Sequence, residues 1–131
     1  MKYLGAYVAI LLALFLVDML WLRVIASAWY AQGLGHLMAA SPNLFAAGIF
    51  YLVFPAGLLI FAVLPAESAA LPRAVAMGAL FGFFAYATYD LSNLATLKGW
   101  PVTITLLDIA WGSALSGLSA GAGKFCLDAL R

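Results

Sequence analysis

The chain has 131 residues, of which 67% are hydrophobic and 8% charged, where ordinary soluble domains carry about 25% charged residues. With a mean hydropathy of +1.10 it lacks the polar groups to cover a water-facing surface, which excludes a soluble domain and points to the membrane. The net charge of +1 argues against a nucleic-acid partner, and a single cysteine, Cys126, excludes an internal disulfide and a thiolate metal site.

Four apolar segments are each long enough to cross a bilayer, which takes about 20 helical residues. They cover residues 3–25, 43–64, 72–97 and 100–122. The expected fold is all-α: a four-helix transmembrane bundle forming a single integral membrane domain over residues 1–131, with a lipid bilayer as its solvent. The first segment, YLGAYVAILLALFLV after Lys2, also resembles a signal peptide, with Ala26-Ser27-Ala28 as a small-residue cleavage site. Asp18 and Arg23 interrupt the approach to that site, so the segment is read as a span.

Residues 26–40 set Trp29, Tyr30, Leu34, Leu37 and Met38 among polar residues, as in a segment lying along the headgroups. Ser41-Pro42 supplies a candidate N-cap and first-turn proline for the second span. Pro55 should kink that span. Pro65, Glu67 and Pro72 mark a turn. Lys98-Gly99 is a stop signal for the third span, a cation for the last carbonyls and a glycine for a left-handed cap. Trp100-Pro101 opens the fourth span, expected to end before Gly123 and Lys124. The short link makes the third and fourth spans antiparallel neighbours. Lys2, Arg73, Lys124 and Arg131 fall on the side of the termini, against Arg23 and Lys98 on the other. The positive-inside rule then places both termini in the cytoplasm.

Each of three spans carries one aspartate. At 1.5 Å per residue, Asp18 lies roughly 22 Å, Asp90 roughly 26 Å and Asp108 roughly 21 Å from the terminal side, a common depth in the outer part of the bilayer. Helical spacing puts Gly78, Gly82, Tyr86, Asp90 and Asn93 on one stripe, and Thr105, Asp108, Gly112 and Ser116 on another, with Trp111 flanking it. Asp18 and Trp21 are one turn apart. The two glycines of the third span offer a surface for close helix approach. An aspartate at a helix centre costs about 2.5–3.5 kcal/mol on insertion scales, so three must be paired, protonated, hydrated or bound. Arg23 and Lys98 can both reach outward to water instead. Converging carboxylates without matching cations repel one another, and at least one is expected to be neutral.

The expected ligand site is therefore Asp18, Trp21, Tyr86, Asp90, Asn93, Asp108 and Trp111. The bland alternative is helix glue, with each aspartate bonded to Asn93, Thr96, Thr103, Thr105, Tyr86 or Tyr89. No catalytic residue or cofactor can be named from these residues, and no His/Cys cluster suits a metal.

The combination DMLWL, LGHL, SPNLFAAGIFYL, YDLSNLATLKGWP and LDIAWG resembles the bacterial DUF2177 family of small predicted membrane proteins over most of the chain. That resemblance implies recurrent polar positions at Asp18, Trp21, His36, Asp90, Asn93, Asp108 and Trp111. Arg23 and Ser92 depart from the pattern without disturbing the carboxylates. It implies no reaction, and it makes His36, within LGHL, a candidate lid on the outer side. Three function classes stay open. The site binds a proton, a cation or a small polar or cationic ligand, as in a transporter-like protein, sensor or accessory subunit, with a homo-oligomer expected for a transporter. The chain is a membrane enzyme working on a lipid or isoprenoid-like substrate by carboxylate acid/base chemistry. Or it is a structural subunit.

Overall fold

The computed structural model describes all 131 residues. It has five α-helices and no strand: α1 (Lys2–Leu20), α2 (Ser27–Leu34), α3 (Leu44–Leu58), α4 (Leu71–Thr96) and α5 (Val102–Ala129). α1 runs on through a wider π turn at Trp21–Ile25, and α3 through another at Leu59–Val63. With these extensions four helices are long and apolar enough to span a bilayer: Lys2–Ile25, Leu44–Ala66, Leu71–Thr96 and Val102–Ala129.

Each span has one stripe facing its neighbours and an apolar remainder. On α1, Ala6, Ile10, Leu14 and Asp18 recur every four residues and are buried, while Leu4, Val8, Leu12 and Leu16 point outward and are exposed. Asp18 is thus the last member of an inward stripe. On α4 the stripe is Ala74, Gly78, Gly82 and Asp90. It meets Gly112, Ser116 and Ala120 of α5 so closely that a methyl group on Gly78 would lie 2.7 Å from the Ser116 carbonyl oxygen. α5 also packs along α1, and α3 packs on α1.

The end that holds the termini is tightly closed. Ala6, Ile10, Leu58, Ala62, Val63 and Leu127 form one buried apolar cluster there. Beside it a polar knot gathers on the turn after α3: Lys2 pairs with Glu67 at 3.1 Å, Tyr3 donates to the same carboxylate at 3.0 Å, and Arg131 donates to the Glu67 carbonyl.

Three local expectations are corrected. Ser41-Pro42 does not start the second span; the cap is Asn43, whose side chain accepts the Ala46 N–H at 3.1 Å, so Pro42 lies outside the helix. α5 does not end near residue 122 but continues to Ala129. Gly123 lets Ile10 of α1 pack on the helix instead of stopping it. Lys124 is consequently not a solvent-facing charge. It is 1% exposed, and its ammonium donates to the Glu67 carbonyl at 2.9 Å and to Asp128 at 2.8 Å. Gly99, with φ +74°, is the one left-handed residue and turns the chain between α4 and α5, as the Lys98-Gly99 signal implied.

Candidate functional site

The opposite end of the bundle carries Asp18, Asp90 and Asp108. Asp90 lies six residues before the end of α4, Asp108 six residues after the start of α5, and Asp18 seven residues before the end of the first span, so all three sit about 9–11 Å inside the same end. They converge. Asp18 and Asp108 line one cavity of about 570 Å³, and the Asp90 carboxyl faces that of Asp108.

Asp18 is held by two donors from other helices. The Tyr51 hydroxyl of α3 donates to Oδ2 at 2.7 Å, and the Trp111 indole of α5 donates to Oδ1 at 3.0 Å. Asp108 accepts from the Tyr30 hydroxyl of α2 at 2.8 Å, and that hydroxyl accepts in turn from the Trp21 indole at 3.2 Å. Trp21 and Trp111 stack with ring centroids 4.3 Å apart and planes 6° from parallel. Burial, and after it the neighbouring Asp108, push the Tyr30 hydroxyl above its ordinary range, so it stays protonated and donates.

Asp90 differs from the other two. It is fully buried, and neither carboxyl oxygen has a hydrogen-bond donor. Its polar neighbour is Asp108, another acceptor, and a hydrogen bond between two carboxyls requires a proton on one of them. The Trp100 indole N–H, in the cavity wall, is a second buried polar group without a partner. Every ion pair lies at the closed end, and no Lys or Arg forms one with any of the three aspartates.

Of the other expected site residues, Tyr86 lines the cavity and sits over Gly112, whose missing side chain makes room for the ring. Asn93 is half-buried on α4 and does not line the cavity. His36 is exposed in the short turn after α2, with its Nε2 against Gly99, so it covers the α4–α5 turn and not the carboxylates. α2 itself is the roof: Tyr30 and Leu34 line the cavity, and Gly33 rests on Pro101 and Ile104. Tyr30 and Tyr51 were not among the expected site residues. The signal for Tyr51 was present: a phenol within a span must find a hydrogen-bond partner. Tyr30 carried no such signal, because an interfacial tyrosine is satisfied by water.

Among known proteins, a family model described as a predicted membrane protein (DUF2177) matches residues 3–125, nearly the whole chain. No curated protein and no solved structure matches.

Proposed function

The chain belongs to the DUF2177 family of predicted membrane proteins, and from that premise we propose that it is a multi-pass protein whose three aspartates form a membrane-embedded site for a proton, a cation or a small cationic ligand. The observation that carries this reading is Asp90: a carboxyl with no exposed surface, no donor on either oxygen and a second carboxyl as its polar neighbour. A buried group of that kind costs free energy unless something neutralises it, and no side-chain cation of the chain does. Glue alone would pair every carboxyl and leave no void, whereas here a cavity lies against two of them. In this reading the residues are one integral membrane domain of the bacterial inner membrane, with the termini in the cytoplasm and the cavity toward the outer leaflet.

Thermal stability tests the reading, measured in detergent or nanodiscs while pH and cation concentration vary. Whatever binds the folded state raises its stability by mass action. Glu67 titrates in every variant, so the readout is the difference between wild type and Asp90→Asn or Asp108→Asn. The reading expects each substitution to abolish the site's contribution. If both variants fold and keep the wild-type dependence on pH and on cations, the carboxylates are not the site.

One observation favours a second reading. Asp18 and Asp108 face a single cavity from two helices, the arrangement that acid/base chemistry on a lipid or isoprenoid-like substrate would use. A turnover assay on lipid extracts separates it from binding alone.

A further inference from the structure

We propose that the cavity takes an organic cation, a quaternary ammonium, phosphonium or protonated amine on an apolar body, and that it enters sideways from the bilayer between α3 and α4. This rests on the reading of the carboxylates as a proton or cation site and names the ligand class.

The wall chemistry selects charge sign and size together. Asp18 and Asp108 are the only charged groups on the cavity, and no Lys, Arg or His lines it. Most of the remaining wall is aromatic: Phe50 and Phe54 from α3, Tyr86 and Tyr89 from α4, and Trp100 and Trp111 from the chain around α5. Aromatic faces attract cations, most strongly where water is excluded. An anion would meet two carboxylates and the negative faces of the rings. A bare metal ion fits poorly, because no three carboxyl or imidazole groups of the chain are grouped to ligate one. A volume of about 570 Å³ falls in the range of pockets for small organic molecules, roughly 300–1,000 Å³.

One unpartnered polar atom of the wall itself, the Trp100 indole nitrogen, points to a missing occupant. Both Asp90 oxygens and the Trp100 indole nitrogen are buried without partners, the first behind Asp108 and the second in the wall. Native structures leave few such atoms unexplained; Asp90 lies outside the cavity lining and the occupant does not reach it, but water carried in with the cation would accept from the Trp100 N–H in the wall.

The route follows from how α3 packs. Within the α3 span, α4 touches chiefly the π turn at Leu59–Val63 and the residues near Phe54 and Gly57, which meet Phe81. Further out, from residue 44 to 53, every residue of α3 except Ala47, Phe50 and Tyr51 is exposed. The terminal end of the α3 span is therefore closed against α4 and its other end open, and Phe50 of α3 and Tyr89 of α4 both line the cavity.

The test uses the full chain in lipid nanodiscs, with tetraphenylphosphonium as probe and tetraphenylborate, of the same shape and opposite charge, as control. Intrinsic tryptophan fluorescence reads binding, since Trp100 and Trp111 are in the wall. The expected result is saturable binding of tetraphenylphosphonium, weakened at least tenfold in Asp108→Asn and Asp18→Asn, with no saturable binding of or competition by tetraphenylborate. Tyr89→Leu, at an exposed rim position, is expected to weaken binding severalfold without loss of fold. Equal behaviour of the two probes overturns the proposal on wild-type protein alone, whether or not the aspartate variants fold. Binding unchanged by all three substitutions overturns it as well. If tetraphenylphosphonium does not bind but the Asp90→Asn and Asp108→Asn differences in stability persist, the ligand class is wrong and the carboxylate site stands; if those differences are also absent, both fail.

Discussion

Trp21 and Trp111 brace the site reciprocally. Each follows an aspartate by three residues, in the Asp18–Trp21 and Asp108–Trp111 pairs. The Trp111 indole bonds to Asp18 on the other helix, and the Trp21 indole reaches Asp108 through Tyr30, while the two rings stack at 4.3 Å between them. Trp111→Phe keeps a ring for stacking and removes a donor from a buried carboxyl, so it should cost about 1–3 kcal/mol of stability. Trp21→Phe should cost less, because Tyr30 still donates to Asp108. Thermal unfolding of the two variants in one detergent checks the order.

Tyr30 is the one hydrogen bond from the roof helix to the carboxylates. Tyr30→Phe should destabilise the protein by about 1–3 kcal/mol, the cost of leaving a part-buried acceptor short of its donor. It should also loosen α2, which otherwise rests on Pro101 and Ile104 through Gly33. Hydrogen exchange over residues 27–34 should rise, with little change in the core of α4 and α5.

The contact of α4 with α5 depends on absent side chains. A methyl group on Gly82 would lie 2.5 Å from the Gly112 carbonyl oxygen, so Gly82→Ala must push two backbones apart. The expected loss is about 1–3 kcal/mol. Gly48, on the exposed part of α3, has nothing within 4 Å, and Gly48→Ala should be neutral or stabilise by up to about 1 kcal/mol through helix propensity. Melting temperatures of the pair decide it.

At the closed end, Glu67 accepts hydrogen bonds from Lys2 and Tyr3, which hold its carboxyl below the usual range. A carboxyl depressed in the folded state contributes stability above its unfolded value, and that contribution disappears as pH falls through the folded value. Glu67→Gln should therefore lower the melting temperature at neutral pH and converge with wild type in acid. Melting curves across the acid range read this directly.

Much of this arrangement was legible in the sequence because lipid imposes few solutions. Four apolar runs had to be helices, and the short Lys98–Pro101 link had to make α4 and α5 antiparallel neighbours. The legible part ended where the cause was tertiary. Nothing in GLSAGAGK says that Gly123 receives Ile10 and that Lys124 can bury its stem because the Glu67 carbonyl meets its head. Tyr51 lay within an apolar run, and its aim at Asp18 depends on the rotation of α3 about its axis, which an all-apolar helix does not specify. LGHL alone suggests a lid at His36, and only the fold shows its Nε2 lying against Gly99 in the α4–α5 turn.

The most direct measurement is the infrared difference spectrum of the carboxyl region, recorded on protein in nanodiscs as pH is stepped and as a cation is added, in wild type, Asp90→Asn and Asp108→Asn. A site built on the facing Asp90 and Asp108 carboxyls predicts bands that respond in wild type, a response lost in Asp90→Asn and altered in Asp108→Asn, since the two face each other. Identical responses in wild type and in both folded variants would contradict it.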